Sequence, residues 1–143
     1  MRDRKYLAST PYVFTTEITI QVSDINYGGH VGNERYLLFA QETRMRFLHS
    51  IGCSEMRFGP FGLVLVEAGV EYLAELFHGE KIVVSLAIDN VLRSSFDCYY
   101  KVETERNGVM ITSALIKTSM LCFDYTERKV RSIPEEIKPS LQA

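Results

Sequence analysis

The chain has 143 residues, 46% of them hydrophobic, and a formal net charge of −2. That length fits one domain, and the apolar content is enough for a core. The balance of 16 Lys and Arg against 18 Asp and Glu excludes a dedicated nucleic-acid surface, which needs a basic face, and no apolar run approaches the roughly 20 residues of a membrane span.

The start of the chain, Met1-Arg2-Asp3-Arg4-Lys5, is charged with no apolar stretch behind it, so it does not read as a signal peptide. Cys53, Cys98 and Cys122 are scattered and odd in number. They predict reduced thiols in a cytoplasmic protein rather than a disulfide framework or a zinc site. His30, His49 and His78 have no metal-binding spacing, and no metal is expected. No repeat, low-complexity tract or linker divides the sequence, so residues 1–143 read as a single domain.

Between Tyr12 and Val22, Tyr12, Phe14, Ile18, Ile20 and Val22 alternate with more polar positions, which predicts a half-buried strand. The loop Ser23-Asp24-Ile25-Asn26-Tyr27-Gly28-Gly29-His30-Val31-Gly32-Asn33 follows, dense in polar side chains and glycine. Asn33 is a candidate helix N-cap, the helix runs from Glu34 to about Ile51, and Gly52 is the stop. At about 100° per residue, Tyr36, Leu37, Ala40, Phe47, Leu48 and Ile51 form one apolar stripe. Leu38 and Met45 lie on the other side, flanking Glu42 and His49. Such a helix predicts cover on both faces, a sheet on one and a partner subunit on the other. Arg44 falls inside the first stripe and needs a carboxylate or carbonyl partner if buried.

Four more strands are predicted, over residues 61–72, 81–90, 95–105 and 109–124, with Val64, Val66, Ala68, Val70 and Tyr72 sharing one face of the first. The last has apolar residues on both faces, as a central strand does. Turns are signalled by His78-Gly79-Glu80, by Arg93-Ser94-Ser95 and, most sharply, by Asn107-Gly108, a tight primed hairpin turn. The tail from Ile133 is expected to make one helical turn and fray. Strand, long helix, then four strands without βαβ alternation is an α+β pattern.

The run Val22–Asn33, followed by Arg35-Tyr36 and Glu42-Thr43-Arg44, resembles the hotdog-fold acyl-CoA thioesterases, in particular the 4-hydroxybenzoyl-CoA thioesterase-like branch. That branch reads D-x-D-x-x-G-H-V-N-N-x-x-Y, then E-x-R along the helix. Val70-Glu71-Tyr72, Gly79-Glu80 and Arg93 with Ser95-Phe96 match more loosely, and the resemblance spans roughly residues 12–125. It implies a long central helix wrapped by a curved antiparallel sheet of five or six strands. It also implies a homodimer or homotetramer with active sites at the subunit interface, and metal-independent hydrolysis of an acyl-CoA to free acid and CoA. Coenzyme A enters as part of the substrate, and no further cofactor is implied.

Two positions depart from the branch pattern. Asn26 stands where the second Asp, often the catalytic carboxylate, is expected, and Gly32 replaces the first Asn of the Asn-Asn pair. An amide cannot act as a general base, but it can hold a water or a carbonyl. The activating group is therefore sought among Asp24, His30, Glu42 and Glu71. The acyl carbonyl is expected against backbone N–H groups near Gly29, His30 and Val31, with the positive end of the helix beyond Asn33 behind it. Gly28 and Gly29 permit close approach, and Tyr27 lies among the binding residues of the same loop. Arg93 is a candidate contact for the phosphates of coenzyme A.

Each of these residues has a plainer role. Asp24 and Asn26 suit Asx-turns, and Glu42 can pair with Arg46 four residues on. Glu71 can face solvent, and Arg44 can form a structural ion pair. Two other functions fit the same frame: a catalytically silent module that binds acyl-CoA or an acyl carrier, which the Asp-to-Asn change favours, and a hotdog dehydratase, whose motifs are not evident.

Overall fold

The computed structural model describes residues 4–142. Along the chain come β1 (Tyr12–Thr19), a 3-10 turn (Val22–Asp24), α1 (Arg35–Ser50), β2 (Gly62–Tyr72), β3 (Lys81–Asp89), β4 (Ser95–Arg106), β5 (Val109–Asp124), β6 (Lys129–Val130) and α2 (Lys138–Gln142). All strand pairs are antiparallel, in the order β1-β3-β4-β5-β2, with β6 paired to the end of β5. β1 and β2 form the two edges of this open sheet, and α1 lies against β1, β2, β3 and β5.

The stripe of α1 is regular but rotated from its predicted position. Tyr36, Phe39, Ala40, Thr43, Arg44, Phe47 and Leu48 are buried, whereas Leu37 is exposed. Pairs of buried residues recurring every three to four positions are what a single covered face produces. They pack on the inward side chains of the central strands, among them Val84, Leu86, Tyr100, Ile116 and Met120. Leu38 and Met45 are exposed on the opposite face, together with Glu42 and His49.

The helix ends as expected. Gly52 has φ +78°, its N–H donates to the His49 carbonyl at 3.0 Å, and the Cys53 N–H donates to the Leu48 carbonyl at 2.8 Å. This is a Schellman closure, which glycine makes without a Cβ penalty. At the start the cap position is Glu34 rather than Asn33, and the Arg35 N–H donates to the Gly32 carbonyl.

Arg44 finds the predicted partner. Its Nε donates to Glu55 Oε1 at 2.7 Å and its Nη1 to Tyr100 Oη at 2.9 Å. Burial disfavours its charge, but Tyr100 and Glu55 more than offset this, and its pKa is raised. The link ties the loop after α1 to the helix and to β4. At the β4–β5 hairpin, Asn107 and Gly108 take φ 52° and 78°, the primed turn that the pair predicts.

Three further expectations need correction. β1 stops at Thr19, because the chain turns after Ile20, and Val22 is left 72% exposed. A β-bulge between Leu65 and Glu67 breaks the predicted one-face run of β2, since one extra residue inverts the alternation. The tail does not fray: Ile133, Ile137 and Leu141 are buried in the core, where their i, i+4, i+8 spacing puts them on one side. The short hairpin strand β6, entered through Arg128 at φ 55°, is the sixth strand of the sheet.

Candidate functional site

The loop between β1 and α1 folds on itself before it reaches the helix. Asp24 Oδ2 accepts the Gln21 N–H at 2.8 Å, closing the 3-10 turn. Ile25 and Val31 then bridge, with the Asn26 N–H donating to the His30 carbonyl at 2.9 Å and the Gly32 N–H to the Asp24 carbonyl at 3.0 Å. Between them the Gly29 N–H donates to the Asn26 carbonyl at 3.2 Å, and Asn26 Oδ1 accepts the Gly28 N–H at 2.8 Å. The Asn26 side chain thus closes an Asx-type turn, with Gly29 at φ +82° and Tyr27 fully exposed at the tip. Two contacts fasten the loop to the segment around the end of β2: the Val31 N–H donates to the Leu76 carbonyl at 2.8 Å, and Tyr72 Oη donates to the Asn33 carbonyl at 2.8 Å.

This fastening leaves a cleft of about 300 Å³ at the start of α1, walled by His30, Val31, Asn33, Tyr36, Tyr72 and Glu75, with Leu73 and Ala74 behind. His30 Nδ1 lies 3.1 Å from the Val31 carbonyl. A carbonyl only accepts, so Nδ1 carries the proton in the neutral ring and Nε2 keeps its lone pair. Nε2 lies 3.8 Å from Glu75 Oε1. A Cβ built on Gly28 would stand 3.2 Å from that nitrogen and 3.3 Å from Asn26 Oδ1, so the bare glycine lets the imidazole and the carboxamide close in on the same small space.

The electrostatics of the cleft centre on Tyr36. Its hydroxyl is pushed up to about 12, first by burial and then by Tyr72, Glu75 and Glu80, with Arg106 acting the other way. Burial also raises Tyr72, followed by the charge of Glu34. Arg106 grips Glu80 through two bonds, at 2.7 and 2.8 Å, and donates to the Glu75 carbonyl at 2.5 Å. The hydrogen bond from Arg106 holds the Glu80 carboxyl below its ordinary range. Among the described residues no group of three His, Cys, Asp or Glu side chains could hold a metal ion.

Of the residues singled out from sequence, Asn26, Tyr27, Gly28, Gly29, His30, Val31 and Asn33 come together at this one place. Asp24 is nearby but engaged in its turn. Glu42 points elsewhere, paired with Arg46 at 2.7 Å, while Arg46 reaches Thr16 and Glu17 on β1. Glu71 accepts the Tyr6 N–H at 2.8 Å on the strand face opposite Tyr72. Arg93 donates to Ser132 Oγ at 2.8 Å, at the end of β4 opposite the Arg106 end that adjoins the cleft. The Gly29 and Val31 amides are also spent on internal bonds, which leaves the His30 N–H free among the described residues.

The sequence reading overlooked Tyr36 as a polar group, together with Tyr72, Glu75 and Arg106. Tyr36 stands at the tyrosine of the branch pattern but also in the apolar stripe, which points to packing rather than chemistry, and the connection containing Glu75 has no periodicity to mark it. A larger cleft of about 410 Å³, lined by Met45, His49, Cys53 and Met56 among others, lies at the other end of α1. His49 is 13 residues beyond Tyr36, about 20 Å along the axis, so the two clefts are separate.

Comparison with known proteins agrees with this architecture. The 1,4-dihydroxy-2-naphthoyl-CoA hydrolase of Synechocystis is 26% identical over 125 residues, covering 85% of this chain and 89% of the relative. The crystal structure of a 1,4-dihydroxy-2-naphthoyl-CoA thioesterase from Synechocystis superposes with a TM-score of 0.81 at 24% identity, over 90% of this chain and 95% of the other. A protein of Aquifex aeolicus gives a TM-score of 0.79 at 27% identity, over 90% and 99%. 4-Hydroxybenzoyl-CoA thioesterase, in an Asp-to-Asn form complexed with 4-hydroxybenzoyl-CoA, gives 0.81 at 15% identity, over 90% and 97%. The thioesterase-like superfamily matches residues 20–141, from the end of β1 through α2, and the chain belongs to that superfamily, with the hotdog fold.

Proposed function

We propose that this protein hydrolyses an acyl-CoA thioester to the free acid and CoA, with His30 as the general base. The observation that carries this reading is the ring geometry of His30. Val31 holds the Nδ1 proton, which leaves Nε2 with its lone pair on a ring that lines the cleft at the start of α1, 3.8 Å from Glu75 Oε1. His30 Nε2 takes a proton from water as its oxygen adds to the acyl carbon. The carbonyl oxygen, now negative, faces the His30 N–H and the positive end of α1. The C–S bond then breaks, and the departing thiolate receives the proton from His30. No metal takes part. Asn26 orients the water or the thioester by hydrogen bonding, Gly28 and Gly29 let it approach, and Tyr27 and Asn33 flank it.

Within one chain, Asp24, Glu42 and Glu71 have other partners, and Arg93 lies away from the cleft. Glu42 and Arg93 would serve the reaction only at a site shared between copies. Two of the relatives named above carry an aromatic acyl-CoA in their names, 1,4-dihydroxy-2-naphthoyl-CoA and 4-hydroxybenzoyl-CoA, and an aromatic acyl group is the first class to assay. The exposed Leu37, Leu38 and Met45 on α1 and Leu65 and Val66 on edge strand β2 support self-association as a homodimer or homotetramer.

One observation favours a second reading. Asn26 stands where the branch pattern has an acid, and its Oδ1 accepts the Gly28 N–H. A silent module that binds acyl-CoA without turnover would look like this. Calorimetry with an acyl-CoA, run beside an assay for released thiol, separates the two: heat with thiol release supports hydrolysis, and heat without it supports the silent module.

A further inference from the structure

Tyr36 is 3% exposed, at the second position of α1. Its ring is fixed edge-on against Tyr72, with centroids 5.1 Å apart and planes at 89°, and against Phe39 at 5.9 Å and 71°. A tyrosine buried this deeply ordinarily finds a hydrogen-bond partner. Tyr36 Oη has none among the described residues. Yet no fully buried side-chain polar atom in the described chain lacks a partner. The hydroxyl therefore keeps a little exposed surface, and Tyr36 forms the wall of the cleft beside His30, Asn33 and Tyr72. The structure holds a hydroxyl on a rigid ring at the wall of a small cleft, with its bond unmade.

We propose that the Tyr36 hydroxyl donates a hydrogen bond to the carbonyl oxygen of the bound thioester and strengthens that bond as the oxygen becomes negative. The inference rests on the hydrolytic reading of the cleft and deepens it. The argument is one of preorganisation. Two aromatic neighbours fix the ring, so the donor costs no reorganisation when charge develops. Burial favours the neutral phenol, with the hydroxyl pushed up to about 12, so it remains a donor across any working pH. Tyr72 cannot take this role as it stands, because its hydroxyl is spent on the Asn33 carbonyl. That bond in turn supports the backbone beside Tyr36. The donor sits in the first turn of α1, at the helix's positive end.

The test uses the full chain with Tyr36→Phe, which keeps the ring and removes only the hydroxyl. On an acyl-CoA that the wild type hydrolyses, kcat is expected to fall about 100-fold, with KM nearly unchanged and the melting temperature preserved. A second measurement needs no turnover. Calorimetry compares a ketone analogue, which has CH2 in place of sulfur and keeps the carbonyl, with a thioether analogue that lacks the carbonyl. Tyr36→Phe should weaken binding of the ketone several-fold and leave the thioether unaffected. Full kcat with unchanged affinity for both analogues overturns the inference alone. So does an equal loss for both, which would mean that the hydroxyl shapes the cleft without meeting the carbonyl. A wild type that binds neither analogue and releases no thiol overturns the reading of the cleft, and this inference with it.

Discussion

Adding one carbon at Gly28 would place it 3.2 Å from His30 Nε2 and 3.3 Å from Asn26 Oδ1, closer than such contacts normally run. Gly28 does not have a positive φ, so backbone strain does not forbid a side chain there. Its bareness serves the neighbouring imidazole and carboxamide instead. Gly28→Ala is therefore expected to displace the His30 ring by a few tenths of an ångström and lower kcat at least 10-fold, because catalytic geometry tolerates little displacement. The melting temperature should move by no more than about 2 °C, since the loop is exposed. Parallel activity and thermal-denaturation measurements check this. At this scale the loop was legible because turn chemistry is local: Asn26, Gly29 and Asp24 do what their residue types do in turns. The partners of Glu71 and Arg93 were not legible. The Tyr6 N–H and Ser132 Oγ are 65 and 39 residues away in sequence, and nothing in a one-dimensional pattern brings them near.

Elements with one covered face announced themselves by period, and those with irregular pairing did not. The spacing of Tyr36, Ala40, Arg44, Phe47 and Leu48 marked α1, although the stripe also took in the exposed Leu37 and left out the buried Phe39 and Thr43. The bulge in β2 left no trace in composition, because it is set by pairing with β5. Arg44 shows a rule at work: a buried cation on an apolar stripe needs a carboxylate or carbonyl partner, and Glu55 supplies the carboxylate while Tyr100 adds a hydroxyl. The central strands β4 and β5 also carry Cys98 and Cys122, both buried, with thiols pushed up to about 11 by that burial. In the unfolded chain these thiols lose their protons near pH 9. Between pH 9 and 11 the folded state thus binds more protons than the unfolded state, and stability falls as pH rises. Their contribution is fully present below pH 9 and lost as pH passes 11. Urea titrations at pH 8, 9, 10 and 11 should show the midpoint dropping over that window, with a shallower drop in Cys98→Ala. A midpoint level to pH 11 would contradict the buried-thiol assignment.

For the molecule as a whole, the sequence showed a helix with apolar residues on two sides, and the structure covers only one of them. Leu38 and Met45 remain exposed beside Glu42 and His49. If a second copy covers this face, sedimentation equilibrium will give a mass above 16.4 kDa, and the double substitution Leu38→Lys, Met45→Lys will return the chain to a monomer without unfolding it. A monomeric wild type at assay concentrations would rule this out. The fold class was readable because strand and helix periods are properties of short segments. The chemistry was harder to read, because the cleft joins a loop, a helix start and the connection after β2, and only folding sets Glu75 and Tyr36 beside His30. The account turns on that histidine, and release of free thiol from a panel of aromatic and aliphatic acyl-CoAs, by wild type and by His30→Ala, is the measurement that tests it most directly. The wild type should turn over at least one substrate, and His30→Ala should retain its fold and lose about 100- to 10,000-fold in kcat. Equal turnover by the two proteins would contradict the assignment of His30 as the base.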